Sequence, residues 1–239
     1  MFARRKRKIT SVFEVDINEE GDLIPWSYWI GPEELRLNVP VKLLVMQGGF
    51  DYGDEHPFVA ALSKGRPALE AFYKSYQPQT IAEYYGFVGD KRLGHDLPPW
   101  ELPWYARNKR LPPPGESGLG PEHGVSFYGP ATPQKIDLEM TRLQRAAASI
   151  EKRGFKPDQY DDIRGYVLGS GSKARFFVRG GKHRTAVIYH LGYTHIPVAF
   201  RQNFPRLVSL DQAGEWPLVS SKQMDESFAR DIFGRYLSS

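Results

Sequence analysis

Two periods run through the apolar positions of this chain, and the helical one is clearest near its middle. Ile136, Met140, Leu143, Ala147 and Ile150 recur at spacings of three and four, which predicts an amphipathic helix over 136–153. Gly154 follows it, and Lys152 and Arg153 stand in the last turn, where cations suit the negative end of a helix. Residues 10–47 read as β-rich but irregular. Val12, Phe13, Val15 and Ile17 suggest one strand there, and Val41–Met46 a buried strand that stops at Gly48-Gly49. Ile24–Ile30 is an aromatic segment bounded by Pro25, Gly31 and Pro32. Short helices are expected over 58–62, over 67–76 with Pro67 as first helical residue, and over 81–85. Arg164–Leu168 and Arg175–Arg179 read as two strands joined by Gly169-Ser170-Gly171-Ser172. A last amphipathic helix is expected over 223–237, through Met224, Phe228, Ile232, Phe233 and Tyr236.

From 86 to 133 the pattern dissolves. Pro98-Pro99-Trp100-Glu101-Leu102-Pro103-Trp104 and Leu111-Pro112-Pro113-Pro114-Gly115 punctuate a stretch too long for an ordinary loop of a compact domain. It is a binding loop or a connection between domains. Trp100, Trp104 and Tyr105 are candidates to line a sugar or base pocket, or to pack the loop onto the body.

The stretch with the most chemistry is 175–200. Phe176, Phe177 and Val178 form a β-run that ends at Gly180-Gly181. A helix then opens on Lys182-His183-Arg184-Thr185, Gly192 ends it, and Ile196–Phe200 returns as a strand. Two glycines allow close approach of the backbone to a ligand, a helix N-terminus offers N–H groups and positive dipole, and three basic side chains gather there. This combination is an anion site, best suited to phosphate. The alternative is a strand–turn–helix corner with solvated basic residues.

Gly180-Gly181-Lys182-His183-Arg184, with its helix, Leu191-Gly192-Tyr193 and Ile196-Pro197-Val198, resembles the box of the ParB/sulfiredoxin superfamily. Ser149-Ile150 and Gly154-Phe155 stand where that superfamily ends its preceding helix. The resemblance implies an α+β fold, with a ParB/sulfiredoxin-like nucleotide-binding domain over 134–239. A basic tail over 1–9 and a mixed, loop-rich region over 10–133, packed on that domain, complete the expected division. It further implies nucleotide phosphate held by Gly180, Gly181, Lys182, His183, Arg184 and Thr185. Arg142 stands eight positions before Ile150, where sulfiredoxin-like members carry a phosphate-binding basic residue, and Arg145 lies one turn on. Two departures limit the carry-over. Lys182 stands where sulfiredoxin has its catalytic cysteine, so sulfinic-acid repair is excluded. The segment after Phe200 is too short for the helix-turn-helix DNA reader of partition proteins.

Charge sharpens the partner question. The chain carries 32 basic and 28 acidic residues, a net +4. Arg4, Arg5, Lys6, Arg7 and Lys8 supply five of these cations, and without them 27 basic face 28 acidic residues. The basicity therefore belongs to one run, either a solvated arm or a contact for lipid headgroups or nucleic-acid phosphates. No stretch approaches about eighteen consecutive apolar residues, and no signal-peptide core is present, so the cytoplasm is the expected compartment. Absence of cysteine removes disulfides, cysteine–zinc sites and thiol nucleophiles. Asp51, Asp54, Glu55 and His56 suggest a metal site, but their spacing fits no standard motif and equally suits the start of a helix.

The resemblance implies a nucleotide-dependent phosphotransferase (kinase) or nucleotide hydrolase using ATP or CTP, with Mg²⁺ carried by the phosphates. The acceptor would be a small hydroxyl-bearing molecule such as an amino acid or sugar. His183 would stabilise developing charge, and Glu139, one turn before Arg142, would serve as general base or metal contact. Glu139 and Arg142 equally suit a plain surface pair at i, i+3. No residue is assigned as a dedicated metal ligand. The alternatives are a non-catalytic nucleic-acid-binding module and a nucleotide-gated interaction protein.

Overall fold

The computed structural model describes residues 11–107, 118–125 and 127–238. The basic run Arg4–Lys8 and the proline cluster Leu111–Gly115 lie outside the described residues. Alternating apolar residues make the strands β1 (Val12–Asp16), β2 (Glu34–Pro40), β3 (Leu44–Met46), β4 (Phe50–Asp51), β5 (Ile163–Ser170), β6 (Lys173–Gly180), β7 (His195–Phe200) and β8 (Leu207–Ser209). They join one mixed sheet in the order β1-β2-β7-β5-β6-β3-β4, with β8 pairing β5 beyond the end of β7. The expected hairpin forms between β5 and β6, with Ser170 opposite Lys173 and Gly171 turning at φ +58°.

Period two sends neighbouring side chains to opposite faces, and each face has its own core. Phe176, Val178, Val167 and Leu44 face one layer of helices: α2 (Pro57–Lys64), α3 (Arg66–Ser75), α5 (Pro133–Arg153) and α7 (Lys182–His190). Phe177, Tyr166, Leu168 and Val45 face the other, built from α4 (Ile81–Tyr84), α9 (Glu226–Leu237) and the aromatic part of the loop region. The short helices α1 (Leu23–Ser27), α6 (Pro157–Tyr160) and α8 (Pro217–Ser220) complete the chain.

The mixed α and β composition is as expected. The boundary at 133/134, however, divides the sequence and not the sheet: β2 pairs antiparallel with β7, and β3 parallel with β6. Residues on both sides of it therefore build one continuous sheet. Several local expectations are corrected. Val41–Leu43 is a 3-10 turn, and only Leu44–Met46 pairs as a strand. Pro67 occupies the second helical position of α3, because Gly65 precedes the helix at φ +78°. The aromatic segment contains α1, and β2, β8, α6 and α8 add to the predicted elements.

Candidate functional site

The box opens α7 as expected. Gly181 turns the chain in the left-handed region (φ +87°, ψ 17°), and a Cβ there would stand 2.9 Å from Ile163 Cγ1. Glycine is required at this position on both counts. Thr185, fully buried, donates through Oγ1 to the Gly181 carbonyl at 3.1 Å, tying the first turn to that glycine. No side chain caps α7. The first turn of a helix is where backbone N–H groups lack acceptors within the helix.

Around this turn the fold assembles rings from other elements. His183 lies flat on Phe58 of α2, centroids 4.5 Å apart at 14°. His56, just before α2, stacks on Tyr52 at 4.6 Å and meets the edge of Phe58 at 5.6 Å. Its Nδ1 accepts the Phe58 backbone N–H at 3.1 Å, which caps α2 and leaves the imidazole proton on Nε2. The Nε2 atoms of both His56 and His183 are buried and have no hydrogen-bond partner among the described residues.

Electrostatics reinforce this picture. Burial pushes the His183 imidazole down to about 3, and the nearby charges of Arg142 and Lys182 act in the same direction. Burial also pushes His56 down to about 3, helped by His183 and Lys182. Both rings are therefore neutral near pH 7, and the charges felt by His183 are positive. Buried polar atoms without partners are uncommon, and these two belong to imidazoles that both contact the Phe58 ring, near the start of α7.

The expected phosphate ligands divide. Lys182 places its Nζ 3.8 Å from the Phe127 ring centroid, and Arg142, from α5, lies near enough for its charge to act on His183. Arg184 has another task. Its guanidinium donates to the carbonyl of Asp161, and to that of Asp162 at 3.4 Å, so it latches α7 to the segment leading into β5. Arg145 is exposed and makes no hydrogen bond or ion pair among the described residues. Glu139 is fully buried, so it is not the surface group that a plain exposed pair with Arg142 would need, and its Oε2 accepts a hydrogen bond from Tyr73 of α3. Lys135, equally buried, holds its Nζ 5.1 Å from the Tyr73 ring centroid.

The acidic stretch before α2 leads into a helix start. Asp54 accepts from Tyr189 at 3.2 Å, Asp51 lies 3.7 Å from Arg175, and His56 caps the helix. Among the described residues no group of three potential ligands is placed to hold a metal ion. Trp104 is packed rather than offered to a ligand, donating to Tyr166 at 2.8 Å between Trp216 and Phe233. Sequence reasoning missed Tyr52, Phe58 and Phe127, and read His56 only as a metal or helix-start residue. The His56-Pro57 step before an apolar run was the available signal.

Two cavities lie away from the box. One, of about 600 Å³, is lined by Glu14, Arg36 and Asp158, and the other, of about 530 Å³, by Lys42, Tyr189 and His195. Arg36 in the first is already paired with Glu14, Asp158 and Asp162, at 2.7, 2.6 and 3.0 Å. The charge of Arg36 in that groove is therefore met by its own carboxylates, whereas the two imidazoles near the turn have unpartnered nitrogens. No protein-family model and no curated protein matches the chain.

Proposed function

We propose that the chain binds a nucleoside triphosphate, ATP or CTP, at the turn Gly180–Thr185 and passes its terminal phosphoryl group to a small hydroxyl-bearing acceptor or to water. The observation that carries this reading is the pair of neutral, buried imidazoles with unpartnered Nε2 atoms at the uncapped start of α7. A phosphate oxygen is the complementary acceptor for the His56 Nε2–H. Lys182 and Arg142 supply positive charge, and the Gly180-Gly181 backbone permits close approach. Arg184 serves by holding the turn in place. The resemblance of the box to that of the ParB/sulfiredoxin superfamily supports the same assignment.

A Mg²⁺ ion arriving with the nucleotide fits this site through the phosphate oxygens and water, since the candidate carboxylate, Glu139, already accepts from Tyr73. Transfer also needs a group to take the acceptor's proton. The burial of Glu139 favours a second reading, nucleotide binding without turnover, in which the site gates an interaction.

The test is thermal. Mg·ATP or Mg·CTP at a hundredfold excess over Kd stabilises by about 2.7 kcal/mol, a rise of roughly 5–10 °C for a chain of this size. His183→Ala should abolish the rise. An undiminished rise in both His183→Ala and His56→Ala would remove the assignment. Phosphate release measured over a panel of amino acids and sugars then separates transfer from binding.

A further inference from the structure

The sheet face opposite α7 carries a second pair of cations, which the nucleotide site does not use. Arg179 precedes Gly180 at the end of β6, and period two sends its side chain away from Val178 and the α7 layer. Arg201 follows β7, where its backbone N–H donates to the Gly165 carbonyl of β5 at 2.8 Å. Both guanidiniums lie over the ring of Phe204, their Cζ atoms 5.8 and 4.8 Å from its centroid. Arg179 also stands 5.8 Å from the Tyr105 ring and 5.9 Å from that of Phe177. Phe204 in turn stacks on Tyr105 at 5.1 Å and 15°, and on Tyr166 at 5.9 Å and 9°. A stack of rings thus holds two arginines side by side.

Contacts with rings explain where the guanidiniums rest but leave their charge uncompensated. Arg36, Arg92, Arg107 and Arg164 each meet a carboxylate. Arg179 and Arg201 make no ion pair among the described residues, and Glu101, the buried carboxylate in the loop of Tyr105, is taken by Arg107 at 3.2 Å. The hydrogen-bond acceptor nearest to Arg179 is Gln47 Oε1, at a long 3.4 Å from Nη1, and its Nε is buried without a partner among the described residues. Gln47 is anchored in turn by donating to the Trp100 carbonyl at 3.2 Å. Burial pushes the Arg201 guanidinium down from its ordinary value, and the Arg179 charge acts in the same direction. Like charges held this close repel unless a group of opposite sign joins them.

We propose that Arg179 and Arg201 form a second oxyanion site, which takes a doubly charged group, a phosphate monoester or a dicarboxylate, on the sheet face opposite the α7 turn. Two planar forks of N–H donors match the several oxygens of such a group, and its two charges match theirs. A stacked base fits less well, because Phe204 is already engaged by Tyr105, Tyr166 and both guanidiniums. Arg201 is exposed and Arg179 half-buried, so the anion meets Arg201 first.

The full chain carrying His183→Ala, which removes a contact of the proposed nucleotide site, is titrated near pH 7.5 with inorganic phosphate and, separately, with succinate. Sodium chloride keeps the ionic strength constant, and the arginine Nε–H resonances are followed by NMR. Those of Arg179 and Arg201 should move and saturate with at least one of the two anions. A response to phosphate alone identifies a phosphate group, and a response to succinate alone a dicarboxylate. Arg201→Gln, at an exposed position, should weaken binding at least tenfold, and Arg179→Gln likewise. Resonances indifferent to both anions would overturn the proposal, even if the chain captured a single-stranded oligonucleotide. So would an affinity unchanged in Arg201→Gln. Neither result bears on the α7 turn, whose own test is nucleotide binding.

Discussion

Two clusters of charged and polar groups flank the start of α7, and they are built on opposite principles. On one side Arg36 meets Glu14, Asp158 and Asp162, while Arg164 meets Glu34 at 2.8 Å and Asp162 at 3.0 Å. Arg184 closes that side on the carbonyls of Asp161 and Asp162. Every cation there has an oxygen partner. On the other side His56 and His183 present buried nitrogens without partners, under the influence of Lys182 and Arg142. The first cluster is complete in itself and holds β2, β5 and α7 in register. The second leaves two buried imidazole nitrogens without hydrogen-bond partners among the described residues. Charge density alone does not distinguish the two clusters; the hydrogen-bonding of their polar atoms does.

The largest effect should come from breaking the complete cluster. Arg36→Ala leaves the buried Asp162 with Arg164 as its remaining partner and removes three ion pairs at once; the cost should approach the roughly 3–5 kcal/mol of a broken buried pair. Urea unfolding would measure this, and the folded fraction should still bind nucleotide. A loss below about 1 kcal/mol would place the network among surface pairs and blur the contrast.

Acid should act on the other cluster. His56 and His183 are held near 3 when folded and titrate near 6.5 when unfolded, so the unfolded chain binds more protons between these values. Stability from these groups is fully present above about pH 6.5 and is lost as pH falls toward 3. The slope approaches about 1.4 kcal/mol per pH unit for each imidazole. Denaturation across this range should flatten in His56→Gln, which keeps a side-chain acceptor for the Phe58 N–H and removes the titration. An unchanged slope in that variant would contradict the neutral pair.

The smaller effects separate residues that look alike in sequence. Arg142→Ala should weaken nucleotide binding roughly tenfold, about 1.4 kcal/mol, because its charge reaches His183. Arg145→Ala, at an exposed position, should change stability by less than about 0.5 kcal/mol and binding by less than twofold. Titration calorimetry on both variants distinguishes them. Equal losses would mean that the ligand reaches further along α5 than the turn.

These contrasts show what was legible beforehand. Gly180-Gly181 followed by basic residues announced a turn into a helix N-terminus, because only glycine takes the left-handed conformation without strain and the pattern is local. The period of α5 was equally plain, although its true start lay earlier, at Thr132 and Pro133, where the Thr132 side chain caps the helix. The alternation of Leu35, Leu37 and Val39 in β2 was available but obscured by the prolines around it. β8 has three residues, too few to show a period, and exists through pairing with β5. Local sequence could not say which cation faces the ligand. Lys182 and Arg184 are neighbours in the chain, yet one lies over Phe127 and the other on the Asp161 and Asp162 carbonyls. His56 joined the site only because the sheet brings α2 against α7, a contact between residues more than a hundred positions apart.

The central claim is that the unpartnered nitrogens of His56 and His183 are a phosphate site in waiting. Nitrogen-15 spectra of the histidine rings, recorded near pH 5.5 with and without Mg·ATP or Mg·CTP, address it directly. Two neutral imidazoles, His56 carrying its proton on Nε2, are predicted, and both Nε2 resonances should move on addition of nucleotide while that of exposed His190 stays in place. Titration of both rings near 6.5, or Nε2 resonances indifferent to either nucleotide, would contradict the account.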